Sequence, residues 1–323
     1  MPELSTAISS NDCIQPFYFR TIAARGALVK LSNSFVEARN GHNYPNVVNS
    51  LLGQSLAATV LMSTHLKFSS RLSLQARSTA SQTAPISLML AETTMRKVSE
   101  EPGAQSLTIR GLARLTDEPV AADSAISLDS LLGTAQLAIT IEPEKQQRYQ
   151  GIVDAQAASL AESLEDYFRQ SEQLATQLLL FAAPKAAAGL ILQEMPNHGG
   201  KSEQCPIGFA DQHQATIWEE LKVLASSITP DELFNLTADD CLQRLFHQHD
   251  YALAEPAAVN FACSCSQERT GDALRYVEAA EIDAILQEDG EIVMDCEFCS
   301  SRYRFDKKAI DLIRGSSSAP TIN

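Results

Sequence analysis

The chain has 323 residues, a length compatible with one large domain and a smaller one. Apolar residues make up 45% of the chain and charged residues 20%, which is typical of a globular protein and excludes a disordered or fibrous one. The formal net charge of −15 disfavours phosphate backbones and anionic lipid headgroups, because like charges repel within the screening length. We therefore expect no nucleic acid and no membrane among the partners.

The N-terminal sequence MPELSTAISSNDCIQPF has no basic patch followed by an apolar run, and no uncharged stretch reaches the roughly 18 residues of a membrane helix. We therefore expect a cytoplasmic protein. The seven cysteines, an odd number, argue against a secreted disulfide framework and favour metal ligation or redox chemistry for any close cluster. Cys13, Cys205 and Cys241 are scattered, so we expect them to be packing residues.

Residues 1–209 are predicted to form the core domain, and from about residue 15 to 195 they contain a series of short apolar or alternating runs, which predict strands. One helix is predicted from Pro45, with an apolar face that extends towards Leu66, and a second from Ser159, which forms a capping box with Glu162. Strands with few helices between them indicate an α+β core domain with a mainly antiparallel or mixed sheet. The predicted strands are FYFRTI (17–22), GALVKL (26–31), RLSLQARS (71–78), ISLMLAET (86–93), SLTIRGLAR (106–114), LAITIEP (137–143) and YQGIVDA (149–155).

Turn-forming residues dominate the segment 196–214, PNHGGKSEQCPIGFADQHQ, which predicts a loop or a domain edge. Three short amphipathic helices follow, one around Trp218, one capped by Thr229 and one capped by Thr237. Helices of roughly ten residues are marginal in water unless an apolar face docks on a neighbour. We therefore predict that residues 210–255 form a helical linker whose fold depends on the rest of the chain.

The C-terminal segment 256–315 contains two close cysteine pairs and is predicted to be a small separate domain. Its sequence EIVMDCEFCSSRYRF predicts a strand, a cysteine turn and a strand, and Asp306 is expected to cap a final helix. Residues 316–323 are predicted to form a disordered tail. A further helix, which ends at Gly290, carries Leu274, Val277, Ile282, Ile285 and Leu286.

The cysteine pattern is Cys-x-Cys, thirty residues, Cys-x-x-Cys, and it predicts a zinc site with Cys263, Cys265, Cys296 and Cys299 as the ligands. Zn²⁺ prefers four tetrahedral ligands, and close thiolate pairs supply them in short chains. A segment of about sixty residues buries too small a share of its surface to be stable without such a cross-link. Structural zinc contributes an apparent ~10–16 kcal/mol in finger peptides, so its loss is expected to unfold the module.

The same cysteines are expected to respond to oxidants. Oxidants attack thiolates rather than thiols, and thiolates bound to zinc stay nucleophilic, so oxidation is expected to release the metal. A disulfide within either close pair would close a very small loop and stabilise the fold far less than the zinc it replaces. The site is therefore predicted to act as a redox switch: its oxidation releases zinc and unfolds the domain that contains it.

Three parts of the chain carry a family resemblance that covers nearly its whole length. They are residues 42–75, HNYPNVVNSLLGQSLAATVLMSTHLKFSSRLSLQ; residues 149–174, YQGIVDAQAASLAESLEDYFRQSEQL; and the C-terminal pair FACSCSQERTGDAL with GEIVMDCEFCSSRYRFD. Together they resemble the redox-regulated heat-shock chaperones of thirty-three kilodaltons. The N-terminal extension and Cys205 depart from that family's pattern and stay unexplained by it.

The resemblance implies an inactive reduced state in which Cys263, Cys265, Cys296 and Cys299 bind zinc. It also implies an oxidised state in which neighbouring cysteines form disulfides, zinc leaves, and the linker and zinc module unfold. That state dimerises and holds unfolding client proteins without ATP. The amphipathic linker helices agree with this implication, because an exposed apolar surface is what such a chaperone needs.

Two functions of other classes remain as alternatives. The first is a zinc ribbon that binds nucleic acid, but residues 255–315 contain 13 acidic and 7 basic side chains, a net charge of −6, which is unfavourable for phosphate. The second is a thiol-disulfide oxidoreductase, which would need a Cys-x-x-Cys at the start of a helix. Cys296 and Cys299 are instead predicted to lie between strands.

Three further sequence patterns could indicate a functional site, but each is weaker evidence than the cysteine pattern. The sequence MPNHGGKS ends like a phosphate-binding loop but has Met195 in place of the first glycine, so no ATP site is predicted. His247 and His249 are expected to be solvated at a helix end. The acidic cluster Glu162, Glu165 and Asp166 is expected to lie on a solvent face near a helix start. No catalytic residues are assigned, and we do not expect an enzyme.

Overall fold

The computed structural model describes residues 12–66, 68–79, 84–97, 105–120, 127–155, 157–195 and 207–315. Within these ranges the chain forms two compact units. The first comprises the residues up to 262 except the loop 40–42, and the second comprises that loop and the residues from 263 onward. Residues 1–11 with the N-terminal extension, Cys205, the segment 196–206 with most of MPNHGGKS, and the tail 316–323 lie outside the described residues.

The first unit is built on one mixed sheet. Its described strands are β1 (Cys13–Phe19), β2 (Ala24–Leu31), β3 (Ser70–Ser78), β4 (Ile86–Lys97), β5 (Gln105–Leu115), β6 (Ala135–Pro143), β7 (Tyr149–Asp154), β8 (Thr176–Ala183), β9 (Ala186–Glu194), β10 (Tyr251–Leu253) and β11 (Ala257–Phe261). They pair in the order β7-β6-β3-β4-β5-β11-β1-β2-β9-β8, and β10 also pairs with β1. All pairs are antiparallel except β5 with β11. The predicted α+β class is confirmed, and the seven predicted strands correspond to β1–β7.

The helices of the first unit lie between and after these strands. In the described residues they are α1 (Asn33–Ala38), α2 (Asn46–Ser63), α3 (Leu128–Leu132), α4 (Leu160–Tyr167), α5 (Ile207–Ser226), α6 (Pro230–Asn235) and α7 (Ala238–Phe246). A π-helical turn, Phe168–Glu172, extends α4. None of the helices in the described part of the chain is both long and apolar enough to cross a membrane.

Helix α2 is the centre of the first unit. It packs against β3, β4 and β5 from one half of the sheet and against β2, β8 and β9 from the other half, so the sheet curls around it. Fourteen of its eighteen residues are buried. The prediction of a single apolar face was therefore too narrow, because a helix enclosed by a sheet must be apolar on all sides. The buried hydroxyls of Ser55, Thr59 and Ser63 donate hydrogen bonds to carbonyls of the preceding turn, which satisfies them.

The hairpin of β8 and β9 was not predicted, and its composition explains why. Its sequence is rich in alanine, which has a low preference for strands. The small side chains are required by the close approach of α2: a Cβ on Gly53 would lie 3.0 Å from the Cβ of Ala182 and 3.1 Å from that of Ala187. Packing against the helix therefore overrides the local strand preference at these positions.

Helices α5, α6 and α7 dock on the sheet through their apolar faces, as the linker prediction requires. Thr229 begins α6 with a complete capping box to Glu232, and Thr237 caps α7. Helix α5 begins at Ile207, so the predicted loop 196–214 is wrong for its last eight residues. We call the shared apolar core the docking cluster; its buried members include Phe17, Phe19, Leu28, Leu190 and Leu192 of the sheet and Trp218, Leu221, Leu233, Leu242, Leu245 and Phe246 of the helices.

The chain returns to the sheet after α7. Tyr251–Leu253 pairs with β1, and Ala257–Phe261 lies between β1 and β5, in the middle of the sheet order. These two strands were not predicted, because their partners are distant in sequence. In addition, Glu255 and Pro256 separate them, so the segment shows no clear alternation of apolar and polar residues. The compact second unit therefore begins at Cys263, and the division into a core (1–209), a linker (210–255) and a zinc module (256–315) stays a prediction.

The second unit is a small α+β arrangement. It contains α8 (Gln267–Ala273), a 3₁₀ turn (Leu274–Tyr276), α9 (Ala279–Asp289), β12 (Glu291–Asp295), β13 (Arg302–Asp306) and α10 (Lys307–Gly315). The single predicted helix over 274–286 is thus two pieces, because Val277 and Glu278 are extended, with ψ of 140° and 143°. Gly290 ends α9 with φ of +77°, and the Asp306 carboxylate accepts a hydrogen bond from the Ala309 backbone at 2.8 Å, as predicted. The buried apolar core in the described residues is Leu274, Ile282, Ile292, Phe305 and Ile310.

A candidate four-cysteine metal centre

Two short segments of the second unit supply the four predicted cysteines. Cys263 and Cys265 precede α8, and Cys296 and Cys299 lie in the turn between β12 and β13. The turn is tight: the Cys296 N–H donates to the Ser301 carbonyl at 2.9 Å, and the Ser300 N–H donates to the Cys296 carbonyl at 2.8 Å. Ser300 has φ of +56°, a left-handed conformation that lets the chain reverse and direct both cysteines to one side.

The four sulfur atoms form one cluster. All of them lie within 4.8 Å of one another, with Sγ to Sγ distances of 3.7 Å between Cys263 and Cys296 and 3.3 Å between Cys265 and Cys299. A tetrahedral ion with Zn–S bonds of about 2.3 Å places its sulfurs about 3.8 Å apart, so the spacing fits such an ion. The structure therefore brings together all four predicted ligands in an arrangement that could hold a metal ion.

The thiols differ in how readily they ionise. Burial raises the pKa of Cys263 to about 12 and also raises the pKa of Cys296. Burial acts in the same direction on Cys299, but hydrogen bonds with Ser301, Cys265 and Cys263 together outweigh it and bring the pKa of Cys299 down to about 7. Metal binding requires thiolates, so a bound cation would displace the protons held by Cys263 and Cys296.

Two side chains outside the ligand set contact the sulfurs. The Tyr303 hydroxyl donates a hydrogen bond to Cys265 Sγ at 3.0 Å, and Ser301 Oγ lies 3.2 Å from Cys299 Sγ. The bond to Cys265 raises the pKa of Tyr303 to about 12, so the phenol keeps its proton at neutral pH. Sequence reasoning missed both residues. No local pattern marks them, because Ser301 lies in the turn beside Cys299 and Tyr303 contacts a sulfur that is 38 residues away in sequence.

Comparison with known proteins identifies the family to which this chain belongs. A sequence model described as Hsp33 protein matches residues 12–306. The chain belongs to the Hsp33 family. It is 38% identical over 311 residues to the 33 kDa chaperonin of Shewanella sediminis, covering 96% of this chain and 98% of that protein. It is also 39% identical over 303 residues to the 33 kDa chaperonin of Shewanella oneidensis, with coverages of 94% and 95%.

The fold agrees with this assignment. The crystal structure of the 33 kDa chaperonin from Thermotoga maritima, a heat shock protein 33 homolog, aligns with a TM-score of 0.73 at 20% identity. The alignment covers 95% of this chain and 98% of that chain. Membership of the Hsp33 family confirms the resemblance stated from the sequence and supports a chaperone function for this chain.

The oxidoreductase alternative is not favoured by the geometry of this Hsp33 chain. A redox Cys-x-x-Cys is activated at the N-terminus of a helix, where the dipole stabilises the thiolate. Cys296 and Cys299 instead occupy the turn of a two-stranded hairpin. Ion pairs from Arg302 to Asp295 and from Arg304 to Glu291 join the two strands.

The remaining histidine and cysteine candidates are not part of the metal centre. His247 is exposed at the end of α7, as predicted, whereas His249 is mostly buried beside Phe19 and lies 3.5 Å from Glu220. Among the described residues, the four cysteines are the only group of three or more potential metal ligands. Cys241 is 1% exposed in α7 and burial raises its pKa, which confirms its packing role.

The acidic cluster on α4 is only partly as predicted. The Ser159 side chain accepts a hydrogen bond from the Glu162 N–H at the helix start, and Asp166 pairs with Arg169 on the surface. The solvent-face prediction is wrong for Glu165, whose carboxylate is half-buried and accepts a hydrogen bond from the Leu178 N–H at 2.7 Å. Burial raises the pKa of Glu165, while its role is to connect α4 with β8.

Proposed function

We propose that this protein is a redox-regulated, ATP-independent chaperone that holds unfolding proteins during oxidative stress. Its reduced, zinc-bound state is inactive, and oxidation of the four cysteines activates it. The observation that carries the proposal is the cluster of four sulfurs within 4.8 Å of one another, in a unit whose buried apolar core has five residues among those described. A metal-dependent fold of this kind is a natural sensor, because the groups that hold it together are also the groups that react.

The proposed metal is zinc, with Cys263, Cys265, Cys296 and Cys299 as its ligands. Four soft thiolates in a tetrahedral arrangement select zinc over the hard cations, which prefer oxygen ligands. When bound, zinc neutralises part of the thiolate charge and joins two chain segments. The cysteines do the rest: Cys263 and Cys265 fix the chain before α8, and Cys296 and Cys299 fix the β12–β13 turn.

The proposed activating reaction is the oxidation of two cysteine pairs by hydrogen peroxide. In each pair, two thiolates give two electrons to one peroxide molecule, whose O–O bond breaks to yield two hydroxide ions as one S–S bond forms. Four thiolates therefore consume two peroxides, form two disulfides and release the metal ion. We propose the neighbouring pairs Cys263–Cys265 and Cys296–Cys299, although the two shortest distances given above join sulfurs of different pairs.

The proposed consequence is exposure of apolar surface. A disulfide between close neighbours stabilises little, so the small second unit is expected to unfold once zinc leaves. Helices α6 and α7, of six and nine residues, depend on the docking cluster for their fold. Their release would uncover apolar groups on both the helices and the sheet, which suits the binding of unfolding client proteins.

The remaining parts of the proposal follow from the family resemblance and from charge. We propose that the oxidised protein forms a homodimer, that it acts in the cytoplasm and that it needs no ATP. The net charge of −15 supports the exclusion of nucleic acid and anionic membranes as partners. The candidate phosphate loop MPNHGGKS lacks the first glycine of that motif, which supports the exclusion of ATP.

One experiment tests the proposal as a whole. Purified, reduced protein is treated with peroxide at a mildly elevated temperature while zinc release, far-UV circular dichroism and light scattering of a heat-unfolded client enzyme are followed together. We expect zinc release to precede loss of helicity, and suppression of client aggregation to follow both. Mass spectrometry of the alkylated protein identifies the disulfides that form.

Two variants control the experiment. Cys296→Ser removes one proposed ligand, so we expect weak zinc binding and client holding without peroxide. Cys205→Ser removes a cysteine outside the motif, so it should behave as the wild type. The proposal is refuted if the reduced wild-type protein contains no zinc, or if the oxidised protein keeps its zinc or leaves client aggregation unchanged.

A further inference from the structure

The hydroxyl of Tyr303 is the feature of the metal centre that the proposed function does not use. Tyr303 lies on β13, opposite Met294 of β12, and its side chain is half-buried. Its hydroxyl reaches Cys265 Sγ at 3.0 Å, a sulfur contributed by a segment that is 38 residues away in sequence. The hydrogen bond therefore joins the hairpin to the chain segment before α8 directly at a ligand atom.

A hydrogen bond to a ligand sulfur has two chemical effects. It fixes the position of the sulfur atom relative to the metal. Removing a group that hydrogen-bonds to a metal ligand typically lowers metal affinity by about 10–100-fold. It also draws electron density from the thiolate, because an O–H donor to an ionised sulfur is a charge-assisted hydrogen bond. A thiolate with less available electron density donates less charge to a metal and reacts more slowly with an electrophile.

We propose that Tyr303 is a positioning residue of the metal centre, whose hydroxyl holds Cys265 in the ligand arrangement and slows the attack of peroxide on that sulfur. The proposal rests on the proposed function only in requiring that the four cysteines bind zinc.

The step that Tyr303 slows is a two-electron oxidation of Cys265. A lone pair of the Cys265 thiolate attacks one oxygen of hydrogen peroxide, the O–O bond breaks, and the products are a sulfenic acid and a hydroxide ion. A second cysteine thiolate then attacks the sulfenic sulfur, which forms the S–S bond and releases the second hydroxide ion. The Tyr303 hydroxyl competes for the sulfur lone pair in the first step and keeps its own proton throughout.

The test compares Tyr303→Phe with a matched control in the full-length protein. The phenylalanine keeps the ring and removes the hydrogen-bond donor. Tyr276→Phe makes the same chemical change at a tyrosine of the same unit whose side chain is 87% exposed. Three quantities are measured in each protein: zinc affinity by competition with a chelator, the rate of zinc release by excess peroxide, and the sulfur-to-cobalt charge-transfer band of the Co²⁺-substituted protein.

We expect Tyr303→Phe to lower zinc affinity by about tenfold or more, in line with the effect of losing such partners. We also expect it to release zinc several-fold faster and to move the charge-transfer band to lower energy, because the sulfur becomes a better electron donor. Tyr276→Phe should match the wild type in all three. A Tyr303→Phe protein with weaker binding but an unshifted band would overturn the proposal, because ring packing alone would then explain the loss.

A second measurement covers the case in which Tyr303→Phe does not fold. Replacing tyrosine with 3-fluorotyrosine makes the phenol a stronger donor, so the folded protein should release zinc more slowly than the wild type. An equal or faster rate contradicts the inference. If the wild type binds no metal, the proposed function fails; if it binds zinc and releases it with peroxide while Tyr303→Phe equals Tyr276→Phe, only this inference fails.

Discussion

The two units of this protein differ in what holds them together. The first encloses α2 in a curled sheet, so that residues such as Leu52 and Leu56 are fully buried on every side. The second has a described core of five buried apolar residues, and it leaves Tyr276 and Leu312 largely exposed. Apolar burial stabilises a domain of about fifty residues only marginally, so we expect the second unit to need an additional cross-link. The contrast agrees with the proposed function, in which the sheet and α2 stay folded while the four sulfur atoms control whether the second unit is folded.

Removing the metal should produce the largest difference between the units. With a chelator present, we expect residues 263–315 to lose the protection of their amides from hydrogen exchange, while α2 keeps its protection. Structural zinc supplies an apparent ~10–16 kcal/mol in small finger peptides, which exceeds what the core of the second unit can replace. Adding zinc back should restore protection. Retained protection in the second unit after chelation would show that its core is sufficient alone.

Core truncations should give the next largest effects, and they should depend on zinc in only one unit. Leu56→Ala is expected to destabilise the first unit by about 2–5 kcal/mol with or without zinc, because it leaves a cavity beside α2. Ile282→Ala should destabilise the zinc-bound second unit by a similar amount and have no effect after chelation, because the contact is then absent. Denaturant-induced unfolding, monitored by hydrogen exchange in each unit, measures the stability changes caused by Leu56→Ala and Ile282→Ala.

A matched control for these truncations is available on the surface of the second unit. Leu312 is 74% exposed on α10, so Leu312→Ala should change stability by less than about 0.5 kcal/mol. A zinc-independent effect of Ile282→Ala would mean that the second unit stays folded without metal, and the contrast between the units would then be wrong.

The smallest expected effect concerns the docking of the linker helices on the sheet of the first unit. Lys30 on β2 is 8% exposed, and its ammonium group donates a hydrogen bond to the Leu236 carbonyl after α6. Burying this charge weakens docking, so Lys30→Met should strengthen it, but by no more than about 1 kcal/mol because the substitution also removes the hydrogen bond to the Leu236 carbonyl. Amide exchange in α6 and α7 should slow accordingly. Lys222→Met, on a partly exposed lysine that pairs with Glu219, should leave it unchanged.

The same residue predicts a pH dependence with a definite sign. Burial lowers the pKa of Lys30 below its ordinary value of 10.5, so the docked state binds the proton less tightly than the released state. The cost of the buried charge is therefore fully present below the lowered pKa and disappears as the pH rises towards 10.5. Docking in the wild type should strengthen over that alkaline range, whereas Lys30→Met should show no such rise.

The metal centre was predictable from sequence because its information is local. Two cysteine pairs at ligand spacing, with turn residues beside them, indicate a tetrahedral site without knowledge of the fold. The structure brings those four sulfurs together, and their role as zinc ligands stays a prediction. Tyr303 was missed because its partner, Cys265, is 38 residues away in sequence, and only the folding of the second unit brings the hydroxyl to the sulfur.

The fold was predictable where the local pattern agreed with the tertiary structure. β1–β7 alternate or run apolar as half-buried strands do, and Thr229 and Thr237 begin their helices through local hydrogen bonds. β8 and β9 were missed because contact with α2 selects alanine over strand-forming residues. β10 and β11 were missed because their pairing partners are more than 140 residues away, which no local pattern records.

The position of β11 has a consequence for reversibility. This strand is inserted between β1 and β5, and β9 is paired with β2, so the segment that carries α5, α6 and α7 is tethered to the scaffold at both ends. In the proposed mechanism, its release would therefore open a closed loop and would not free a tail. Because a tethered segment stays near its site at an effective concentration of the order of millimolar, recapture competes continuously with any bound client. In the proposed mechanism, rereduction followed by zinc rebinding would then shift that competition towards release of the client.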